Sequence, residues 1–213
     1  MDSKTNQKYQ VKANDSFTTK LNLFLFSWAF TRNNKIPNVE DFRNFEIRAN
    51  LVDLYTTEYW QYEPGYVIEG ISCDDIYKQI EKVKNEQKGL FAEFKFDYLR
   101  NQFPTIFPLA EFDELLKQKE CAYCQITTDE IIQLANHKQL HKKNYRGWSL
   151  EIDRKDSNFE YKKSNCVMAC YWCNNAKTDE FTFDEFKEIG KEIRKVWEAR
   201  LERKLVQSST SNI

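Results

Sequence analysis

The sequence has few of the residues and patterns that mark disordered or membrane-spanning chains. Its 213 residues include only five glycines and four prolines, which argues against long flexible or low-complexity tracts. No apolar run approaches the ~20 residues that a membrane-spanning helix requires. The apolar stretch from Leu21 to Phe30 is short and is interrupted by Asn22 and Ser27. A formal net charge of -1 gives no overall attraction to a polyanion, so a nucleic-acid surface would have to be local.

The apolar stretch also lacks the small-residue cleavage site of a signal peptide. Six cysteines in a chain without such a signal point to a reducing compartment, and hence to metal binding before disulfides. We therefore expect a cytoplasmic protein with no membrane association. A hydrophobic content of 41% and an aromatic content of 15% are sufficient for a folded core.

The first half of the chain has the apolar spacing of helices. From Asp15, after a frayed polar start, apolar residues recur at three- and four-residue steps, as at Phe17, Leu21 and Phe24. Further helices are predicted over Val39 to Trp60, from an N-cap at Ser72 to about Phe103, and over Leu109 to Leu116. Residues 1–116 are therefore predicted to be an all-helical region. It carries no recognisable chemistry and could dock a protein partner.

The pattern changes at Cys121. A helix capped by Thr127 or Thr128 is predicted to reach about His141, and two strands are predicted near 148–153 and 165–168. A short helix from about Cys170 and a long amphipathic helix capped by Thr182 complete a module at 117–206, before a flexible tail at 207–213. The expected fold class is α+β, mainly α.

Four cysteines form two C-x-x-C pairs, Cys121 with Cys124 and Cys170 with Cys173. Two such turns can offer four thiolates to one tetrahedral Zn²⁺ ion, in a closed site that is structural rather than catalytic. A redox pair and an iron–sulfur cluster are the alternatives. Cys73 and Cys166 lack a partner at this spacing and are predicted to be small buried hydrophobes.

Between and after these pairs the chain reads Leu150-Glu151-Ile152-Asp153-Arg154, then Asn165, then Cys173-Asn174-Asn175-Ala176-Lys177. Over about residues 117–190 this order resembles the HNH endonucleases, also called ββα-metal nucleases. The family has a strand ending in Asp-His, an Asn in the second strand and a helix opening with Cys-Asn-x-x-Lys. Paired C-x-x-C turns commonly staple the module. The combination is specific, whereas any one element alone is weak.

The resemblance implies roles for four residues. Asp153 and Asn174 would bind a catalytic Mg²⁺ or Mn²⁺ ion through side-chain oxygens, which hard cations prefer. Asn165 would tie the loop together, and Lys177 would sit near the phosphate. The implied activity is metal-dependent hydrolysis of phosphodiester bonds in nucleic acid, with DNA favoured over RNA.

Arg154 stands where the family has its general-base His. Arginine cannot accept a proton at neutral pH, although it can clamp a phosphate bidentately. The candidate bases are then His137 and His141, which are the only histidines and lie four residues apart on the predicted helix. They could equally be a surface pair.

Local charge is compatible with a nucleic-acid surface. Residues 121–177 carry nine lysines and arginines against six acids, although the whole chain is at -1. The lysines that could follow a phosphate backbone are Lys142, Lys143, Lys162 and Lys163. They could also be ordinary surface lysines.

Each single signal has a structural alternative. Asp153 could form a local ion pair with Arg154, and the two asparagines could be turn and cap residues. The function predicted first is an endonuclease. The alternatives are a catalytically inactive HNH-like zinc module that binds nucleic acid or a protein, and a zinc-stapled adaptor.

Overall fold

The computed structural model describes residues 3–31, 35–61, 63–140 and 147–210, with side chains described up to residue 203. The fold is α+β and mainly α, as predicted. The elements, in chain order, are α1 (Ser3–Phe30), α2 (Val39–Asn44), α3 (Ala49–Asp53), β1 (Val67–Ile68), β2 (Ile71–Ser72), α4 (Cys73–Glu86), α5 (Lys88–Asp97), α6 (Phe103–Ile106), α7 (Leu109–Leu116), α8 (Thr128–Asn136), β3 (Glu151–Arg154), β4 (Cys166–Ala169), α9 (Tyr171–Lys177) and α10 (Phe183–Thr210).

The chain divides into two compact units. We call Met1–Leu109 together with Asn158–Tyr161 the helical unit, and Ala110–Ser157 together with Lys162–Ile213 the cysteine unit. The short segment 158–161 thus belongs to the helical unit, although it lies between β3 and β4 in the sequence. Within the described ranges, no helix has both the length and the apolar character needed to cross a membrane.

In the helical unit, α1 begins at Ser3, well before the start expected at Asp15. Its polar first turns are held by tertiary packing, because Tyr9 and Ala13 are buried. The Tyr9 hydroxyl donates a hydrogen bond to the Phe107 carbonyl, 98 residues away in sequence. Local composition alone predicted fraying, since it contains no information about this distant partner.

The two longer helices predicted in this unit are broken. The segment expected as one helix from Val39 stops at Asn44, and α3 then runs into a π-helical stretch over Leu54–Tyr59. The helix predicted from Ser72 is interrupted at Gln87 and continues, after α5, as a π-helix over Tyr98–Gln102. Aromatic rings pack near these breaks. Phe42, near the end of α2, stacks on the ring of Phe94 in α5, with ring centroids 4.8 Å apart.

A two-stranded hairpin corrects the expectation that the first region is all-helical. β1 and β2 pair antiparallel with Ile68 opposite Ile71, which leaves Glu69 and Gly70 as a two-residue turn. Both turn residues have positive φ, at 46° and 80°, as a type I′ turn requires. Strands of two residues are too short for an alternating pattern to reveal them.

A buried carboxylate organises polar side chains in the helical unit. Asp97, only 5% exposed, accepts hydrogen bonds from Arg43, Asn101 and Gln102. The Gln102 amide oxygen in turn accepts from the ammonium of buried Lys20, at 2.8 Å. The hydrogen bonds from Arg43 are the largest cause that lowers the pKa of Asp97, to about 2.

In the cysteine unit, β3 and β4 pair antiparallel from Glu151 opposite Ala169 to Arg154 opposite Cys166, and α9 follows directly. The module therefore has the predicted order of strand, strand and short helix. α10 continues to Thr210, beyond residue 207, where the sequence suggested that a flexible tail begins. Thr182 and Glu185 cap its start reciprocally, as the sequence predicted for Thr182.

α8 begins as predicted and ends earlier than predicted. Thr127 caps it in a reciprocal box with Glu130. It ends at Asn136 because Lys138 adopts a φ of 55°, and the amides of Lys138 and Gln139 bond back to Ala135 and Leu134. This is a Schellman termination, with lysine at the position that usually holds glycine. His137 is therefore a cap residue, and the predicted helix through His141 is wrong.

We expect Asp97→Asn to change how stability depends on pH. Because the folded-state pKa is depressed from 3.8 to about 2, the ionised carboxylate stabilises the fold above pH 4. That contribution, on the order of 1–2 kcal/mol, is lost as the pH falls from about 4 to 2. Urea unfolding at a series of pH values should show a shallower decline for Asp97→Asn than for wild type. Asp53→Asn, at an exposed position, is the control; equal slopes in all three proteins would contradict the assignment.

Candidate functional site

Four cysteines meet in the cysteine unit. The Sγ atoms of Cys121, Cys124, Cys170 and Cys173 all lie within 4.8 Å of one another, and all four residues are buried. Four sulfurs at ~2.3 Å from one tetrahedral ion would be about 3.8 Å apart. The Sγ atoms of Cys124 and Cys170 are 3.6 Å apart, which matches this spacing. The cluster can therefore hold a metal ion, and its donor set fits zinc.

The backbone of each pair turns its sulfurs inward. In the first, Gln125 takes a φ of 58° and its amide bonds to the Cys121 carbonyl. In the second, Cys170 is the N-cap of α9 and its Sγ accepts a hydrogen bond from the Cys173 amide. Contacts among the four thiols lower the pKa of Cys121 and raise the pKa values of Cys170 and Cys173. A bound metal would favour the thiolate form of all four. No disulfide is present, and Cys73 and Cys166 are buried outside the cluster, as predicted.

Asp153 lies near the end of β3, and its side chain is 13% exposed. Its Oδ2 accepts a hydrogen bond from the Tyr123 hydroxyl at 2.5 Å and lies 3.9 Å from Lys177 Nζ. Burial raises the pKa of Asp153, and the contacts with Tyr123 and Lys177 oppose that rise. The carboxylate is thus largely buried and held by its two partners.

Lys177, at the end of α9, is only 2% exposed. A buried ammonium must be paired, and this one donates to the Arg154 carbonyl at 3.0 Å beside its ion pair with Asp153. It therefore ties α9 to the end of β3. In this arrangement its charge is directed at the protein's own carboxylate and carbonyl.

Asn174 contacts the same strand at another point. Its Nδ2 donates to Glu151 Oε2 at 2.8 Å, so the amide oxygen, the atom a metal would use, is not the one bound to Glu151. Successive side chains of a strand alternate, so Glu151 and Asp153 share a face of β3. Glu151 was not among the residues predicted from the sequence, although its position two residues before Asp153 was a usable signal. Tyr123, which is hidden inside the first cysteine pair, was also not among them.

Asn165 closes the β3–β4 connection. Its Oδ1 accepts from the Asp156 amide and its Nδ2 donates to the Asp156 carbonyl, at 3.0 and 2.9 Å. Its own carbonyl accepts from the Lys155 amide at 2.7 Å. Since Lys155 follows β3 directly, these bonds hold the strand end that carries Asp153 and Arg154.

The remaining predicted residues differ in their relation to Asp153. The backbone amide of Arg154 donates a hydrogen bond to the Asp153 carboxylate, and this bond and the positive charge of Arg154 both lower the pKa of Asp153. Strand alternation places the Arg154 side chain on the other face of β3. His137 is exposed at the end of α8, and no hydrogen bond or ion pair joins it to a described residue of the site. His141 lies outside the described residues.

Of the four lysines predicted to contact nucleic acid, two are among the described residues and two are not. Lys162 and Lys163 are exposed, and Lys163 Nζ lies 3.9 Å from a carboxylate oxygen of Glu111. Lys142 and Lys143 lie outside the described residues.

α10 packs closely against the first cysteine pair. Gly190 approaches Tyr123 so closely that a Cβ on it would lie 2.6 Å from the Tyr123 carbonyl oxygen. The Tyr123 ring packs between the rings of Phe183 and Phe186, with centroids 5.4 and 5.1 Å away. Arg194 fixes the helix further along through a bidentate pair with Glu130.

We expect Cys124→Ala to release the metal. Removing one thiolate opens the tetrahedral set, and structural zinc contributes folding energy directly. Metal analysis of the purified protein should fall from about one zinc ion per chain to nearly none, with loss of cooperative thermal unfolding in the cysteine unit. Cys166→Ala, buried but outside the cluster, should keep its zinc. Full zinc content in Cys124→Ala would rule out the four-thiolate site.

We expect Gly190→Ala to destabilise the protein by about 1–3 kcal/mol, because backbone atoms of Tyr123 would have to move. Gly89→Ala meets nothing within 4 Å. It should be neutral or stabilising by up to about 1 kcal/mol, since alanine favours helix. Thermal melts of the two variants test this pair. A Gly190→Ala midpoint at or above that of wild type would show that α10 does not press on Tyr123.

Comparison with known proteins yields one distant structural likeness. No protein-family model and no curated protein matches the chain. A solved structure of the rare-cutting HNH restriction endonuclease PacI, for which a mechanism of DNA perturbation is described, is similar at 22% sequence identity. The match covers 73% of this chain and 92% of that one, with a TM-score of 0.38.

Proposed function

We propose that the protein is a metal-dependent endonuclease that hydrolyses phosphodiester bonds in DNA, with residues 117–206 as its functional module. The observation that carries the proposal is the side-chain arrangement on the β3–β4–α9 unit. An acid near the end of β3, Asp153, and an amide at the start of α9, Asn174, border the same strand face, beside a cluster of four cysteines. Zinc at the cysteines would be structural.

The two side chains fit a hard divalent cation such as Mg²⁺ or Mn²⁺. Asp153 offers a carboxylate and Asn174 an amide oxygen, the kinds of ligand that such cations take. When bound, the cation would act as a Lewis acid on the phosphodiester oxygens. Burial raises the pKa of Asp153, whereas the ammonium of Lys177, 3.9 Å away, opposes that rise. A bound cation would have to compete with that ammonium for the carboxylate.

Other residues would act on the substrate or on the shape of the site. Asn165 would keep the end of β3 in register through its bonds to Asp156 and Lys155. Arg154 would hold a phosphate at the edge of the hairpin, and Lys162 and Lys163 would follow the backbone of the nucleic acid. The base would be a histidine, His137 or His141, or a hydroxide. The free cysteines suit a reducing compartment, for which we propose the cytoplasm.

A second candidate is a catalytically inactive module that binds nucleic acid. It is favoured by one observation: Asp153 is already engaged by Tyr123 and Lys177, while Arg154 occupies the position of the family's base. Such a module would show salt-dependent affinity for nucleic acid without cleavage.

We expect nicking or linearisation of supercoiled plasmid in Mg²⁺ or Mn²⁺ and none in EDTA. Asp153→Ala should slow cleavage by about 100-fold or more, because the cation loses its only charged ligand. Asp179→Ala, at an exposed position, should cleave at the wild-type rate. Gel electrophoresis of timed reactions measures both. Salt-dependent DNA binding without cleavage in any metal, by protein that retains zinc, would decide for the second candidate.

A further inference from the structure

The Tyr123 side chain joins the first cysteine pair to the candidate carboxylate by a hydrogen bond. It is 3% exposed, and a buried phenol hydroxyl requires an acceptor. Its hydroxyl donates to Asp153 Oδ2 at 2.5 Å, across 30 residues of sequence. Neither the family resemblance nor the proposed mechanism assigns this residue a role.

The backbone of Tyr123 is fixed on several sides. It lies between Cys121 and Cys124, whose sulfurs belong to the four-cysteine cluster. The neighbouring amide of Ala122 donates to the Met168 carbonyl of β4 at 2.8 Å. Gly190 of α10 lies directly against the Tyr123 carbonyl. A shift of the first cysteine pair would therefore move Tyr123 with it.

The ring is fixed as well. Phe186 meets it edge-on at 90°, and Phe183 lies tilted at 57°. Because the backbone and the ring are both held, the position of the hydroxyl oxygen is fixed. Asp153 is its partner there, so the orientation of the carboxylate depends on the position of the cysteine turn.

We propose that Tyr123 is a positioning residue that couples the four-cysteine site to Asp153, so that metal bound by the cysteines sets the affinity of Asp153 and Asn174 for a second divalent cation. This inference rests on the proposed function. A carboxylate that is already oriented loses less side-chain freedom when a cation binds. Partners that orient a ligand from behind typically change metal affinity by about 10–100-fold when they are removed.

The test compares Tyr123→Phe with wild type and with Tyr171→Phe. The first variant removes only the hydroxyl on Asp153 and keeps the ring packing. The second removes a tyrosine hydroxyl from the other cysteine pair, so it controls for general effects on the two cysteine pairs. Each protein is first assayed for zinc. Mn²⁺ binding is then measured by electron paramagnetic resonance without nucleic acid, and the Asp153 carboxyl is followed by its ¹³C resonance.

We expect Tyr123→Phe to retain zinc, to move the Asp153 carboxyl resonance, and to weaken Mn²⁺ binding by about 10-fold or more. Tyr171→Phe should leave both readouts unchanged. Wild-type Mn²⁺ affinity in Tyr123→Phe would overturn the proposal. Equal losses of affinity in the two variants would also overturn it, since they would show only a structural effect on the cysteine pairs.

The two readouts separate this inference from the proposed function. If wild type binds no Mn²⁺ in an Asp153-dependent way, the proposed function and the coupling to a second cation both fail. In that outcome, a carboxyl resonance that still moves in Tyr123→Phe would show that the Tyr123–Asp153 hydrogen bond exists without a second cation site. Should Tyr123→Phe lose zinc, 3-fluorotyrosine at position 123 keeps the hydroxyl in place. Its ¹⁹F resonance is expected to move on Asp153→Asn and on zinc removal, and not on Asp179→Asn; an unchanged resonance on Asp153→Asn overturns the proposal.

Discussion

The meeting of four sulfurs within 4.8 Å is the contact on which the rest of the cysteine unit depends. It joins a turn before α8 to the strand end that leads into α9, and so closes a loop of about fifty residues. β3 and β4 lie inside that loop, and with four residues each they would be marginal alone. The metal that these thiolates can hold therefore stabilises the hairpin that carries the candidate carboxylate.

Charge inside the unit is balanced at short range. Asp153 and Lys177 are both largely buried, and burial of either charge alone would be costly. Their pairing, the Tyr123 hydroxyl and the Arg154 carbonyl satisfy both groups. The same contacts orient the carboxylate before any ligand arrives. Stability and preparation of the site thus come from one set of hydrogen bonds, so a substitution there affects both.

The helical unit is organised by a different constraint, the packing of aromatic rings around α1. Phe24 meets Phe42, Phe45 and Phe94 edge-on, with centroids 5.3 to 5.8 Å apart. Segment 158–161 joins this unit through the Tyr161 amide, which donates to the Ser16 hydroxyl. The buried polar side chains Ser16, Lys20 and Asp97 each have a hydrogen-bond partner. Such bonds favour one arrangement among the many that apolar contact alone would permit.

The helical character, the two cysteine pairs, the strand–strand–helix order after Cys121 and the caps at Thr127 and Thr182 could be predicted from the sequence, because each depends on neighbours a few residues apart. Other features depend on contacts between residues that are distant in sequence. Helix breaks at Asn44 and Gln87 and the early start of α1 depend on distant packing that local periodicity does not encode. The bonds from Tyr123 to Asp153 and from Asn174 to Glu151 span 30 and 23 residues, so only the folded chain could reveal that these side chains meet.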